Sequence, residues 1–143
     1  MIMKTTVKYL LPLVCIFMLA SCEKETKPYK GDAQVAFALK TYSINVNSAT
    51  NSVTIPVQLI AKAPQGAITA NINVDTDSTC ASAVTVPTSV TIDAGRFTTD
   101  LVISVNHENL NAGNANRLIL NLSSSSVHVA GNYNVVTITL NKQ

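Results

Sequence analysis

The chain has 143 residues, and its ten lysines and arginines exceed its eight acidic residues by two charges. From residue 33 onward five cations face five anions, so the excess positive charge belongs to residues 1–32. A balanced domain of this kind lacks the basic footprint that displaces counterions from phosphates, which excludes nucleic acid as a partner. Residues 33–143 are enough for one domain with a core and too few for two.

The first residues are typical of a secretory signal peptide. Two lysines precede an apolar stretch, Tyr9–Leu19, which is too short to span a bilayer and is interrupted by Pro12. The segment Leu19–Cys22 (LASC) resembles the bacterial lipobox, in which the cysteine is lipidated before the signal is cut. That resemblance implies acyl chains on Cys22, and two or more chains anchor a protein firmly. An ordinary signal peptide with a coincidental cysteine is the alternative.

The next segment predicts a flexible tether, because EKETKPYKGD is polar, contains proline and has no periodicity. Acidic residues directly behind Cys22 resemble an export signal of surface lipoproteins in the Bacteroidota, although lysines alternate with them. We therefore predict a signal peptide at 1–21, a tether at 22–32 and a domain at 33–143. The lipid anchor places the expected location at the outer membrane, on its periplasmic or its cell-surface face.

Within the domain, apolar residues alternate with period two, which predicts half-buried strands and no helices. Pro56 lies on the outward row of its strand and cannot donate to a ladder, so that strand is expected at a sheet edge or bulged. The predicted strands are Gln34–Leu39, Tyr42–Val46, Ser52–Ala61, Ile68–Val74, Val84–Val86, Ser89–Ile92, Thr98–Val105, Arg117–Leu122 and Tyr133–Leu140. Residues that favour tight turns separate them.

Short strands at this spacing predict an all-β domain, an antiparallel two-sheet sandwich of immunoglobulin-like type, with an eight-stranded barrel as the alternative. The segments VAFALKTYSINVNSATNSVTIPVQL, VTVPTSVTIDAG, FTTDLVISV and RLILNLSS follow one another in that order. Together they resemble the Calx-beta-like sandwich of small lipoproteins of the Bacteroidota over most of Ala33–Leu140. The resemblance implies that fold and an association with outer-membrane glycan-uptake systems.

Calcium-binding members of that family carry acidic residues where this chain mostly has none. The corresponding regions read Val46-Asn47, 106–108 (NHE) and Asn111–Asn116, which leaves Glu108 as the acid. Since Ca²⁺ takes six to eight oxygen ligands with carboxylates among them, we predict no calcium dependence and no cofactor. His107 and His128 have no second ligand at the spacing typical of zinc sites, so no metal site is expected.

Three features near residue 80 could have a chemical role. Cys80 is alone in the domain, so no disulfide forms there, and acids and hydroxyls around it favour a small half-buried thiol over a nucleophile. Asp75 and Asp77 alternate as in a calcium loop but lack its glutamate at position twelve, which indicates a solvated turn. Residues 77–79 (DST) resemble an O-glycosylation motif of the Bacteroidota, with Ser78 as the attachment point.

No catalytic motif occurs, and the few titratable groups are scattered, so we predict a protein that is not an enzyme. All four aromatic residues after position 33 lie in or beside predicted strands and are expected in the core, which leaves no platform for stacking sugars. These residues are Phe37, Tyr42, Phe97 and Tyr133.

The leading hypothesis is an accessory lipoprotein of the cell envelope, a binding or scaffold module that contacts other envelope proteins or glycan. A lipoprotein that binds carbohydrate directly and a hydrolase using Asp75, Asp77 or Glu108 are the alternatives. Because loops on a rigid sandwich commonly carry recognition, we expect a binding face in Asn106–Asn116 and Ser123–Asn132, at one end of the sandwich. The candidate binding residues are Asn106, Asn111, Asn114 and Asn116.

Overall fold

The computed structural model describes residues 30–61 and 64–143. Cys22, the signal peptide and most of the predicted tether lie outside them. The strands are β1 (Gln34–Phe37), β2 (Thr41–Val46), β3 (Ser52–Ile60), β4 (Ile68–Val74), β5 (Val84–Thr85), β6 (Ser89–Ile92), β7 (Thr98–Val105), β8 (Gly113–Ser123), β9 (His128–Val129) and β10 (Val135–Lys142). Short 3-10 turns cover Ala81–Ala83 and His107–Asn109. Over these ranges, no helix has the length and apolar character needed to cross a bilayer.

The strands form two five-stranded sheets, which confirms the predicted sandwich. The first sheet has the order β5-β7-β3-β1-β9, and the second has the order β2-β10-β8-β4-β6. Most neighbours are antiparallel, as expected, but β1 with β9 and β2 with β10 are parallel. The second of these pairs arises because the chain leaves the first sheet after Phe37 and enters the second at Thr41, where the Lys40 carbonyl accepts from Thr137 N at 2.9 Å.

Alternate side chains of the central strands fill the space between the sheets. In β3, Val53, Ile55, Val57 and Leu59 are buried while Thr54 is exposed, as the period of two requires. Fully burying a side chain of this size stabilises the fold by about 1.5–3 kcal/mol. The core therefore fixes which face of each strand looks outward.

The prediction that Pro56 marks an edge strand is wrong for β3 as a whole, since β3 lies between β7 and β1. The ladder with β1 ends at the pair Phe37 and Val57, one residue short of the proline. The Pro56 carbonyl accepts from Ala38 N at 3.1 Å. Because the N–H and C=O of one residue point to the same side of a strand, the N–H that proline lacks would also have pointed toward Ala38, past the end of β1. The strand tolerates proline there because no ladder bond is lost.

Strand register also decides which loops share an end of the sandwich. β1 begins at Gln34, opposite Ile60 at the end of β3, so the chain enters the domain at the end where β3 finishes. This tether end also holds the loops 93–97 and 124–127. The opposite end, called the far end, holds the loops 47–51, 75–83 and 106–112 and the last residue, Gln143.

Candidate functional site

The two loops predicted to form one binding face lie at opposite ends of the sandwich. The segment 106–112 is at the far end, and the segment 124–127 is at the tether end. The strand β8 between them has 11 residues, which at a rise of about 3.3 Å per residue separates the loops by roughly 35 Å. Because one strand connects them across the whole domain, they cannot contact one small ligand together.

Asn116 is a structural residue and not an exposed binding group, which corrects its assignment as a candidate contact. It lies inside β8 with 0% of its surface exposed. Its side-chain oxygen accepts from Asn111 N at 2.8 Å, and its amide nitrogen donates to Asn111 O at 2.8 Å and Leu140 O at 3.1 Å. These bonds satisfy the polar atoms of the buried amide and connect the segment before β8 to β10.

Asn106 and Asn111 are exposed, and neither side chain contacts another candidate asparagine in the part of the chain that the structure describes. Asn106 caps the 3-10 turn, its side chain accepting from Glu108 N at 3.2 Å. Asn111 is exposed, and its backbone makes the bonds to Asn116. Asn114 falls within β8, and its side chain lies outside the described part of the structure.

In the turn after β4, which was predicted to be solvated, two side-chain hydroxyls make hydrogen bonds to β8 that a neighbouring strand would otherwise make. The Ser78 hydroxyl accepts from Ile119 N at 2.9 Å and donates to Ile119 O at 3.3 Å. The Thr79 hydroxyl accepts from Arg117 N at 2.8 Å and donates to Ala115 O at 2.7 Å. These hydroxyls pair the edge of β8 where β4 has ended. Glycosylation of Ser78 stays a prediction, and it would remove the hydrogen that Ser78 donates to Ile119.

Asp75 holds the start of this turn. Its carboxylate accepts from Asp77 N at 3.0 Å and from the Asn121 side-chain amide at 2.9 Å. Hydrogen bonds from the Asp77 backbone first, and from Asn121 second, lower the pKa of the Asp75 carboxyl. Asp75 therefore serves as an ionised turn acceptor.

The remaining polar candidates form no reactive cluster. His107 Nδ1 lies 3.5 Å from Glu108 Oε1, and its Nε2 lies 3.2 Å from Gln143 O. Within 30–61 and 64–143, no three histidine, cysteine or acidic side chains are grouped closely enough to hold a metal. The donor set therefore does not fit the calcium that the resemblance associates with this fold.

Cys80 is more deeply buried than predicted, with 3% of its surface exposed. Its side chain is part of the core cluster, and burial raises the pKa of the thiol. A buried, protonated thiol is a poor nucleophile, which agrees with the structural interpretation of this residue.

The expectation that all four aromatics are core residues is half wrong. Phe37 is buried and Tyr42 half-buried, but Phe97 is 46% and Tyr133 is 40% exposed. Phe97 lies just before β7 at the tether end, and Tyr133 lies in the turn before β10, where its ring is 5.3 Å from Lys40 Nζ. The two rings sit beside different strands, because Leu59 N donates to Phe97 O and Phe37 N to Tyr133 O.

The outer face of the second sheet, called the polar face below, is formed by five strands. Its outward residues bear hydroxyls and amides, apart from Ala115, Arg117, Ile119 and Val135. The polar ones are Thr41, Ser43 and Asn45 on β2, Thr137, Thr139 and Asn141 on β10, Asn121 and Ser123 on β8, Thr69, Asn71 and Asn73 on β4, and Ser89 and Thr91 on β6.

Neighbouring strands connect these groups into rows across the polar face. The Asn141 amide donates to Ser43 Oγ at 3.0 Å and Asn45 Oδ1 at 3.2 Å. The hydroxyls of Thr69 and Thr91 lie 3.2 Å apart. Arg117 is the one charged residue among the outward residues named for this face, which offers both donors and acceptors, so the face suits a neutral, polar partner.

Two of the shallow grooves among the described residues lie at the ends of the sandwich. The larger, of about 470 Å³, lies at the tether end between residues 32–33 and 124–128. The smaller, of about 230 Å³, lies beside β5 at the far end. Neither contains a cluster of titratable side chains that would support catalysis.

No family model and no curated protein matches the chain. Solved structures do match it. The apo form of the Calx CBD1 domain superposes with a TM-score of 0.61 at 11% identity and covers 79% of this chain and 99% of that domain. A "putative carbohydrate binding protein" from Bacteroides ovatus gives a TM-score of 0.60 at 20% identity and covers 76% of this chain.

A second Bacteroides ovatus protein, of unknown function, gives a TM-score of 0.57 at 13% identity and covers 74% of this chain. The present chain spans 37% and 43% of the two Bacteroides ovatus chains. Likenesses at such low identity report the fold. The chain folds as a Calx-beta-like β-sandwich.

Proposed function

We propose that this chain is a binding module of the cell envelope that performs no catalysis and is held at the outer membrane by lipid on Cys22. The observation that carries the binding role is the polar face, where five strands present hydroxyls and amides in rows. Such a surface can hydrogen-bond a neutral partner at many points without the cost of desolvating charges.

The geometry of the chain entry is compatible with the proposed anchor. The domain begins at the tether end, next to the groove lined by residues 124–128. Residues 22–32 can extend by at most about 35–40 Å, since a chain spans roughly 3.3–3.6 Å per residue. An anchored domain therefore stays near the membrane, with the far end and its loops free to face away.

We assign the partner to the class of neutral, polar surfaces on other envelope proteins. An association with glycan-uptake systems comes from the sequence resemblance alone. Direct carbohydrate binding is the second candidate, and the amide and hydroxyl rows favour it over a charged ligand. The Bacteroides ovatus "putative carbohydrate binding protein" contains a sandwich of similar fold, and this shared fold is all the support that it gives to carbohydrate binding by the present chain.

The anchor is tested by expressing the full chain in a bacterium that processes lipoproteins. We expect the chain in the membrane fraction with an acylated Cys22 in the mass spectrum, and expect Cys22→Ser to move it to the soluble fraction. An unmodified thiol on the native product would contradict the anchor while leaving the binding role standing.

The binding role is tested separately with the double variant Asn71→Lys and Thr137→Lys, which places two charges on the polar face. Thr54→Lys, on the exposed face of the first sheet, is the matched control. We expect the double variant alone to lose partners that co-purify with the full chain, or glycans bound on an array. Equal binding by both variants would contradict this face, and turnover abolished by Glu108→Gln would contradict a non-catalytic role.

A further inference from the structure

The described residues contain four sheet edges, and one of them lacks protection. The edges β5 and β9 have 2 residues each, and β6 has 4 residues and follows Pro87. The edge strand β2 has 6 residues with no charge, proline or glycine, and its pairing with β10 contains no bulge. Proteins usually protect an edge with one of these devices, because a bare edge templates another strand.

Among the described strands, β2 pairs only with β10, so half of its backbone groups have no strand partner there. The carbonyls of Lys40 and Val46 accept from Thr137 N and Gln143 N in the ladder with β10. Backbone groups point to alternate sides along a strand, so the even-numbered residues face β10. The N–H and C=O groups of Thr41, Ser43 and Asn45 therefore point away from the sheet, and all three residues are exposed.

Spacing along this edge makes it self-complementary. We propose that β2 pairs antiparallel with β2 of a second copy of this chain, about a twofold axis at Ser43. In that register Ser43 faces Ser43 of the second copy, and Thr41 faces Asn45. Each of these is a hydrogen-bonded pair that exchanges two bonds, so the edge would form roughly six. A twofold axis gives a closed dimer in which both copies use the same surface.

The side chains are compatible with that pairing. On the inner side, the half-buried Tyr42 of one copy lies opposite the half-buried Ile44 of the other, an aromatic and β-branched pair of the kind that stabilises sheets. On the outer side, hydroxyls and an amide meet, and no like charges oppose. The nearest cation, Lys40, is directed to the Tyr133 ring at 5.3 Å.

Other occupants fit this edge less well. The tether of the same chain, residues 23–32, contains Pro28 and many charges, which disfavour an added strand.

Six residues per copy make a small interface, so the dimer forms in a concentration-dependent way. Self-pairing does not depend on the anchor, although shared attachment to one membrane would raise the effective concentration of the copies.

Disulfide trapping on the full chain tests the register. Two Ser43→Cys side chains would meet at the axis, with Cα atoms about 5.5 Å apart, within reach of a disulfide. Thr41→Cys is a control, because its symmetry mate lies about 13 Å away along the strand. Ser89→Cys on the β6 edge is the second control. We expect at least tenfold more covalent dimer from Ser43→Cys than from either control or the unchanged chain.

Equal cross-linking in all four chains would overturn the proposal, and so would a Ser43→Cys adduct with the mass of a different protein. Sedimentation of the full chain in detergent gives the second measurement. Ser43→Lys places like charges at the axis and should abolish dimers that Ser89→Lys retains, with both variants unfolding at the temperature of the unchanged chain. An unchanged chain that is monomeric at every concentration would also overturn the proposal.

Discussion

Asn111 and Asn116 exchange two hydrogen bonds of 2.8 Å, one accepted and one donated by the Asn116 side chain. The same amide reaches Leu140 O at 3.1 Å, so one side chain ties the loop before β8 to β10. The far end of the second sheet is therefore held by a side chain in place of a regular ladder, and the register of β8 with β10 shifts near this point.

Asn116→Ala should destabilise the domain by about 3 kcal/mol, because it removes the side-chain hydrogen bonds to the Asn111 backbone and to the buried Leu140 carbonyl. Chemical denaturation measures the change. Asn111→Ala is the control and should cost no more than about 0.5 kcal/mol, since Asn111 contributes backbone atoms only. Similar losses in both variants would refute the anchoring role of Asn116.

Removing the Thr79 hydroxyl, which bonds the β8 backbone where β4 has ended, should also destabilise the domain. Thr79→Val keeps the side-chain shape but strips Arg117 N and Ala115 O of their partner, and we expect a loss of about 1 kcal/mol in the free energy of unfolding. Thr76→Val, an exposed position in the same turn, is the matched control. A loss no larger than that of Thr76→Val would show that water replaces the hydroxyl.

The Cys80 thiol should resist alkylation until the domain opens. Iodoacetamide labelling followed by peptide mass spectrometry should show native Cys80 reacting on the order of a hundredfold more slowly than the thiol in urea, as expected for a core group that reacts through opening.

Burial raises the pKa of the Cys80 thiol, so the folded state favours its protonated form. The corresponding stability is present below the unfolded pKa of about 8.5 and is lost as pH rises through the folded value. Between pH 8 and 10 the unchanged chain should therefore lose stability more steeply than Cys80→Ala. Parallel pH profiles for the two chains would contradict this.

Asp75 should make the domain less stable at low pH, whereas Cys80 makes it less stable at high pH. Its pKa is lowered in the folded state, first by the Asp77 backbone and then by Asn121, so its contribution is present above the unfolded pKa of about 3.9 and disappears as pH falls through the folded value. An NMR titration of the Asp75 carboxyl should show its pKa rising toward the ordinary value in Asn121→Ala. An unchanged titration would assign the whole effect to the backbone donor.

The alternation of apolar and polar residues predicted the strand bounds well where one face of the strand is buried and the other is exposed. The bounds of Ile68–Val74, Ser89–Ile92 and Thr98–Val105 match the structure. The start of β8 was predicted as a loop, because glycine and asparagine favour turns. There the partner strand β10 and the buried Asn116 impose a strand, and neither influence is visible in a local pattern.

The candidate site depended on long-range information that a single sequence does not contain. Alternation revealed that outward residues are threonine, serine and asparagine, but not that five of the strands share one sheet. The loops 106–112 and 124–127 are expected at one end of the sandwich because loops on a rigid sandwich commonly carry recognition. Strand order separates them, since a strand must cross the whole sheet between its two loops.

The chain enters the domain at one end of the sandwich and reaches Gln143 at the other. A pull applied between these points acts along β1 and β10, and the hydrogen bonds to their neighbours lie perpendicular to that direction or slant across it. Such loading shears whole ladders at once and does not unzip them bond by bond. The topology thus equips the domain to bear mechanical tension along its long axis.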